Sequence, residues 1–495
     1  MTIETVDKID AARMYIRGQW VPAISGRVAP SVDPFSGKPW MHVADGCEDD
    51  ADQAISAARH AFDQGGWGTS TARYRAQLLR RLGGLIARDA DRLAEIESRD
   101  NGKLLKEMRG QWAYLPEWFY YYAGLADKVE GATLPSDREN FIAMTRKEPA
   151  GVVVGIAPWN SPALLLCWKV APALAAGCTF VAKPSEHTPA SAIELAKLFD
   201  EAGFPPGVFN VVTGGPELGK SLCDDPRVDR IAFTGSTEVG KAIAKAAADN
   251  LTGVLLELGG KSPNIVFEDC DPEAAANGII AGIFAATGQT CMAGSRLLIQ
   301  RSVMDEVLGR VIARAKTIRM GDPRDPDTDM GPVANAQQFA KVTGMIQEAL
   351  AEGAVLACGG PEDAPDGLFV APTILTNVTP DMTIVQEEVF GPVLTVLPFD
   401  TEEEAIQLAN NTDFGLAAGI WTLNIHRAHR MANAVRAGTV WINAYRIVSY
   451  NAPFGGFGLS GQGRENGKEA IEEYLETKTI WIELTGATRD PFTIG

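Results

Sequence analysis

The sequence predicts an α/β protein, a doubly wound parallel-sheet domain followed by a second α/β domain, and three observations carry that reading. Short apolar runs bounded by Gly and Pro recur between Val152 and Leu258, each separated by enough residues for a crossover helix. A second alternation of the same kind extends from about Ser262 to Gly461. The chain of 495 residues is 46% hydrophobic and 22% charged, an ordinary globular composition that excludes a disordered or collagen-like chain and provides for several domains.

Taken in order, Met1 to Met14 alternates acidic, basic and small residues without the basic-then-apolar order of a leader, so none is expected. From Glu48 to Arg109 apolar residues fall at helical spacing: Ala54, Ile55, Ala58 and Phe62, then Leu78, Leu79, Leu82, Leu85 and Ile86. Strands follow at Val152–Ile156, Thr179–Ala182, Val208–Val212, Arg230–Phe233 and Val254–Leu258. Parallel sheets bind phosphate-bearing ligands beyond the carboxyl ends of their strands, so ligand chemistry belongs just after these runs. In the second unit Leu297–Gln300, Val393–Leu397 and Thr439–Ile442 read as strands. No repeat, low-complexity tract or linker separates the two units.

A net charge of −18 repels nucleic-acid phosphates and anionic lipid. Apolar stretches such as Gly278 to Ala286 fall short of the ~20 residues that span a bilayer. Seven scattered cysteines with no Cys-x-x-Cys pair suit reduced thiols in a cytoplasm. His426 and His429 have no Cys or carboxylate within a turn, so a solvated helix face is expected there and no metal site.

Two glycine-rich segments match nucleotide patterns. Gly214-Gly-Pro-Glu-Leu-Gly219-Lys220-Ser221 has P-loop spacing, and Ile265-Val-Phe-Glu-Asp269 resembles a Walker B run, which together spell a nucleotide hydrolase. Pro216 lacks the N–H a phosphate cradle needs, and Glu217 adds negative charge, so this reading is set aside. Gly456-Phe-Gly458-Leu-Ser-Gly461 matches a dinucleotide fingerprint without a strand before it, and a turn that lets backbones approach closely fits better. Cys291 stands in a loop of small residues, Gly288-Gln-Thr-Cys291-Met-Ala-Gly294, that leaves a thiol reachable as a nucleophile, with an inert buried thiol as the alternative. Glu257 ends an apolar run, where a carboxylate is costly unless used or paired; Lys261 is the neighbour that would neutralise it.

Phe233-Thr-Gly-Ser236-Thr-Glu-Val-Gly240, Leu256-Glu257-Leu-Gly-Gly-Lys261-Ser-Pro-Asn264, Gly288-Gln-Thr-Cys291 and Glu388-Val-Phe390-Gly-Pro392 stand in one order along the chain. Together with Pro158-Trp159-Asn160, Lys183-Pro-Ser185-Glu186 and Pro453-Phe-Gly-Gly456, they resemble the NAD(P)-dependent aldehyde dehydrogenase superfamily, in its hydrolytic branch, from about Tyr15 to Glu483. The resemblance implies a cofactor domain at 1–127 and 150–259, a catalytic domain at 260–465, and an oligomerisation domain at 128–149 and 466–495. The last would be built from a hairpin at about Lys128 to Lys147 and the segment Thr477 to Glu483, and it implies a homo-dimer or homo-tetramer.

By the same resemblance Cys291 attacks the aldehyde, the Asn160 amide with the Cys291 N–H holds the oxyanion, and Glu257 activates the water that hydrolyses the thioester. Lys169 and Glu465 match a water and proton path. Lys183, Ser185 and Glu186 match the adenosine ribose side, Trp159, Gly235 and Ser236 the phosphates, and Glu388 and Phe390 the nicotinamide ribose; NAD is the expected cofactor, with NADP admitted. Glu257 favours hydrolysis over transfer to coenzyme A. Intact Cys291, Asn160 and Glu257 argue against a catalytically silent structural relative. The substrate tunnel is expected among Trp112, Leu115, Ser161, Leu164, Leu165, Trp168, Met292, Arg446, Val448 and Phe454. Ser161 stands where many relatives carry an aromatic residue, and Arg446 where they are often acidic or neutral. Arg446 therefore points to a substrate with an acidic or strongly polar group, the alternative being an arginine turned to solvent or paired with an acid.

Overall fold

The five expected strands form the parallel centre of an eight-stranded sheet in the computed structural model, which describes residues 11–486 and Phe492. The leader reading, which leans on the first ten residues, and the far end of the third expected domain lie outside the described residues. The strands are Val152–Ile156, Thr179–Lys183, Phe209–Val211, Arg230–Thr234 and Gly253–Glu257, within two residues of expectation at every end. Across the sheet the Val152 strand is flanked on one side by those of Thr179 and Phe209 and on the other by those of Arg230 and Gly253. The chain thus reverses direction of growth between the Val152 and Arg230 strands, and a crevice opens at their carboxyl ends, at Ile156 to Asn160 and Thr234 to Ser236.

Three antiparallel strands that no sequence pattern announced close the edges. Met14–Ile16 and Gln19–Val21 add to one side, and Gly461–Gln462 pairs with Leu256 and Glu257 on the other. Gly461 has φ 125°, and a Cβ there would run into the Leu256 carbonyl, so this glycine-rich segment is a close backbone approach and not a dinucleotide fingerprint. The hairpin Val28–Asp33 with Lys38–Ala44 was also not foreseen.

The helices Glu48–Asp63, Ala72–Asn101 and Leu105–Tyr114 match the amphipathic region. Ala72–Asn101 starts where Thr71 Oγ1 accepts the Tyr74 N–H and buries Leu79, Leu82 and Ile86 completely. It stops at Gly102, φ 75°, whose left-handed turn redirects the chain. The next residue is fixed there: Lys103 N–H donates to Asn101 Oδ1 at 2.9 Å, and its carbonyl accepts Ser98 Oγ at 2.6 Å. The helix Pro162–Ala176 buries every residue but Leu164, as an all-apolar helix must, and so its one charge, Lys169, needs a partner inside.

The second sheet has seven strands, in the order Val355–Cys358, Thr373–Thr376, Val393–Phe399, Arg296–Gln300, Pro263–Val266, Ala417–Trp421 and Thr439–Ile442. All pairs are parallel but the first. The Walker-B-like run at Ile265 belongs to this sheet, whereas the Gly214 loop follows the Phe209 strand of the other and begins a helix at Pro216, so the two do not share the one parallel sheet of a P-loop fold. A third sheet joins Thr133–Leu134, Phe141–Pro149 and Leu475–Glu483, the last two in continuous antiparallel register. Among the described residues no helix is long and apolar enough to cross a membrane.

Candidate active site

Cys291 is presented by a turn held in an unfavourable conformation. Ala286 and Thr287 are left-handed, φ 53° and 56°, at a cost of about 1–2 kcal/mol each, and Gly288 continues the turn at φ 67°. The surroundings enforce it. Thr287 Oγ1 donates to the Gly331 carbonyl at 3.1 Å, Gln289 Oε1 accepts the Ala334 N–H at 2.9 Å, and a Cβ on Gly288 would strike the Gly391 carbonyl. The thiol lies half-buried in a cleft, unlike Cys167, Cys178 and Cys223, which are buried in the core. Burial first, then Glu257 and Glu388, pushes it up to about 12, against a pull from the Met292 N–H.

Asn160 enters the same cleft from the first sheet, two residues after Pro158 at the strand end. Its Nδ2 donates to the Gln289 carbonyl at 2.9 Å, which ties it to the Cys291 loop and leaves the second N–H of the amide for a ligand. Trp159 and Phe390 meet edge to face at 5.1 Å on the wall of the cleft, and Gly235, Ser236 and Glu388 line it. Ser236 caps the helix Thr237–Asn250 through the Val239 N–H, so this helix directs its N-terminus at the crevice. Glu388 accepts the Gly260 N–H at 3.0 Å and is raised by burial. Lys183 is buried, with Nζ 3.9 Å from the half-exposed Glu186; Ser185 is buried beside them, its hydroxyl accepting the His187 N–H.

Glu257 stands at the end of its strand with neither carboxyl oxygen hydrogen-bonded among the described residues. It faces Gly455, where a Cβ would lie 2.6 Å from Oε1. Burial and then Glu465 hold it well above the usual carboxylate range, with Lys169 pulling the other way. Lys169 and Glu465 form a fully buried ion pair, and Lys169 Nζ also donates to Thr234 Oγ1 at 2.6 Å. Lys261 does not neutralise Glu257: its Nζ has no partner among the described residues, burial pushes it down to about 7, and the charges that act on it are those of Arg296, Glu388, Lys341 and Glu387.

On the opposite side, Trp168 stacks on Trp118 at 6.0 Å and meets Phe454 at 5.5 Å, deep in the core. Met292 is half-buried, and its carbonyl accepts the Tyr445 hydroxyl at 3.0 Å. Ser161 Oγ accepts from Lys103 Nζ at 2.6 Å. Arg446, left-handed at φ 62°, donates to the Ala281 carbonyl at 3.1 Å and lines a second cavity together with Lys103 and Glu107. Lys103 and Glu107, and on the first cleft Gln338 and Lys341, were not singled out from the sequence. Gln338 and Lys341 are three apart on the helix Ala336–Ala351, a spacing that shares a face, and Gln338 holds the left-handed Phe390 through its carbonyl at 3.0 Å. His426 and His429 are exposed on the helix Ile425–Ala434.

The model of the Aldehyde dehydrogenase family matches residues 20–480. A (Z)-2-((N-methylformamido)methylene)-5-hydroxybutyrolactone dehydrogenase of Acinetobacter baylyi is 47% identical over 97% of this chain and 99% of its own. Retinal dehydrogenase 2 of Homo sapiens is 44% identical over 96% of this chain and 93% of its own. Among solved structures, a betaine aldehyde dehydrogenase from Staphylococcus aureus in complex with NAD+ superposes with a TM-score of 0.96 at 42% identity, covering 98% of this chain and 97% of that one. An NAD+ complex of an aldehyde dehydrogenase from Bacillus cereus does so at 0.94 and 44%, covering 96% and 97%.

Proposed function

The chain belongs to the aldehyde dehydrogenase family, and from that premise we propose that it oxidises an aldehyde to the carboxylic acid with NAD+, through a thioester on Cys291 that water hydrolyses. The observation that carries the assignment is the bond from the Asn160 amide to the loop of Cys291, which brings a nucleophile from one sheet and an oxyanion donor from the other into one cleft. The residues present suit the cofactor. The N-terminus beyond Ser236 offers donors to a pyrophosphate, Trp159 and Phe390 offer apolar walls, and Glu186 beside Lys183 suits ribose hydroxyls. The carboxylate of Glu186 also disfavours a 2′-phosphate, so NAD+ is preferred over NADP+; equal kcat/KM with both would refute the preference.

Cys291 gives up its thiol proton to water in the cleft as Sγ bonds to the aldehyde carbon, and the free Asn160 N–H and the Cys291 N–H receive the oxyanion that develops as the C=O π bond breaks. NAD+ held by Ser236, Trp159, Phe390 and Glu388 would supply the acceptor for the hydride whose loss turns the adduct into a thioester. Glu257 then takes a proton from water as that water attacks the thioester carbon, releasing the acid and the thiol. The Lys169–Glu465 pair beside Glu257 sets the charge that this base feels and offers the proton a way inward.

The test is chemical. Cys291→Ala should abolish oxidation, and Glu257→Gln should acylate and stall, leaving an acyl mass on Cys291. An adduct on another cysteine, or full activity without Cys291, would sink the assignment. We further propose self-association through the three-stranded sheet, where Ile142, Trp481 and Ile482 are exposed. Seven free cysteines, five of them buried, suit a reducing compartment such as the cytoplasm. The relatives' names span a retinoid, a betaine aldehyde and a hydroxylactone, so membership leaves the aldehyde open.

A further inference from the structure

We infer that the substrate is an aldehyde with a carboxylate at its far end, held at the mouth of the site by Lys103 and Arg446. This rests on the reading of Cys291 as the nucleophile and adds the class of aldehyde. Two cations from distant parts of the chain line one cavity, and Ala286, in the strained turn that presents Cys291, lines it too. Lys103 is 7% exposed, and one of its three N–H donors goes to Ser161, the neighbour of Asn160. Arg446 is half-buried, with one hydrogen bond from its five donors, to a carbonyl. It is neither turned wholly to solvent nor within ion-pair distance of an acid among the described residues.

The charge count around the cavity is unbalanced. Glu107 is the acid that lines it, fixed by the Ala286 N–H at 3.4 Å. Glu97 lies behind Lys103, fully buried, bonded to Gln111 at 3.1 Å and raised to about 7. Two basic side chains and one carboxylate line the cavity itself, burial holding Lys103 down to about 8 even with Glu107 and Glu97 beside it, inside a chain whose net charge is −18. Positive charge kept partly out of water without a matching anion is costly, and a carboxylate arriving with the substrate supplies the match. A guanidinium fork and an ammonium together bind a carboxylate at two points, and both lie close enough to Cys291 to feel charge on its sulfur. A short chain with an aldehyde at one end and a carboxylate at the other has the two groups that Cys291 and this pair of cations call for. A quaternary ammonium in that position would be repelled.

The test compares 4-oxobutanoate and 5-oxopentanoate with butanal and pentanal, and with betaine aldehyde, by steady-state kinetics. The oxo acids should show kcat/KM at least about tenfold above the carbon-matched aldehydes. Arg446→Leu should lower that ratio about tenfold or more, mainly through the KM of the oxo acid, and Arg446→Lys should restore part of it. Arg446→Glu should move the preference toward betaine aldehyde. Lys103→Met also releases Ser161 beside Asn160, so it is read only through the same ratio, which should fall. A wild-type ratio of one or less, or a ratio unmoved in both Arg446→Leu and Lys103→Met, overturns the inference and leaves the Cys291 chemistry standing. Failure to oxidise any aldehyde, with no acyl adduct in Glu257→Gln, fails the reading beneath it.

Discussion

Charge and burial around single side chains set the chemistry, and the buried cluster of Glu257, Lys169 and Glu465 is the clearest case. Glu257 must be ionised to act as a base, yet its pKa is raised, so thioester hydrolysis should rise with pH through a midpoint well above the usual carboxylate range. Glu465→Gln removes the neighbouring negative charge that raises Glu257 most, so the midpoint should move to lower pH. Single-turnover decay of the acyl-enzyme across pH measures it, and an upward shift contradicts the coupling. Asn160→Ala should slow acylation about 10²–10³-fold, with cofactor binding retained, in burst-phase kinetics. Cys291 and Glu257 could be singled out because each lies in a local run of residues with its own chemistry, whereas Asn160 was reached only through the family resemblance. Lys169 had a signal of its own, a charge inside an apolar helix. Lys103, Glu107, Gln338 and Lys341 had none, because they reach the clefts from a helix junction and two helices remote in sequence, and only packing brings them there.

Strands and helices with a pattern were readable; those made by a partner were not. The parallel strands have apolar runs of four or five residues, and the early helices have periodic faces, so both declare themselves locally. Met14–Ile16, Gln19–Val21 and Gly461–Gln462 are two or three residues long and exist because an edge of the first sheet was open to them. The last supports the strand end that carries Glu257, and this yields a paired prediction. Gly461→Ala should destabilise the fold by about 1–3 kcal/mol, since a Cβ meets backbone at a conformation L-residues avoid. Gly110→Ala, in an exposed stretch of the helix Leu105–Tyr114 with nothing near the new Cβ, should stabilise by about 0.5–1 kcal/mol. Denaturant midpoints of the two variants decide it; equal shifts would leave the edge strand without the role given to it.

At the scale of the molecule, the two sheets meet at the site, one supplying Asn160 and Glu257 and the other backing the turn of Cys291. The three-stranded sheet stands apart from that chemistry. Ile142 and Ile482, opposite one another across the strand pair, are exposed on one face, and Trp481, 51% exposed, stands on the other, a pattern that composition and net charge could not reveal because it depends on which strands pair. Trp481→Asp should shift the species seen by light scattering from dimer or tetramer toward monomer at micromolar concentration. A wild-type monomer under the same conditions would remove this sheet as the reason for association.

The protonated state of Cys291 also bears on durability. Burial and the neighbouring carboxylates of Glu257 and Glu388 keep this thiol protonated well above the pH at which an exposed cysteine ionises. Peroxide and alkylating agents attack the ionised form, so the resting protein should lose its nucleophile to oxidation far more slowly than an exposed cysteine would. Damage should then concentrate in the working state, when the thiolate is drawn out, and an oxidant should inactivate the enzyme fastest while it holds its cofactor.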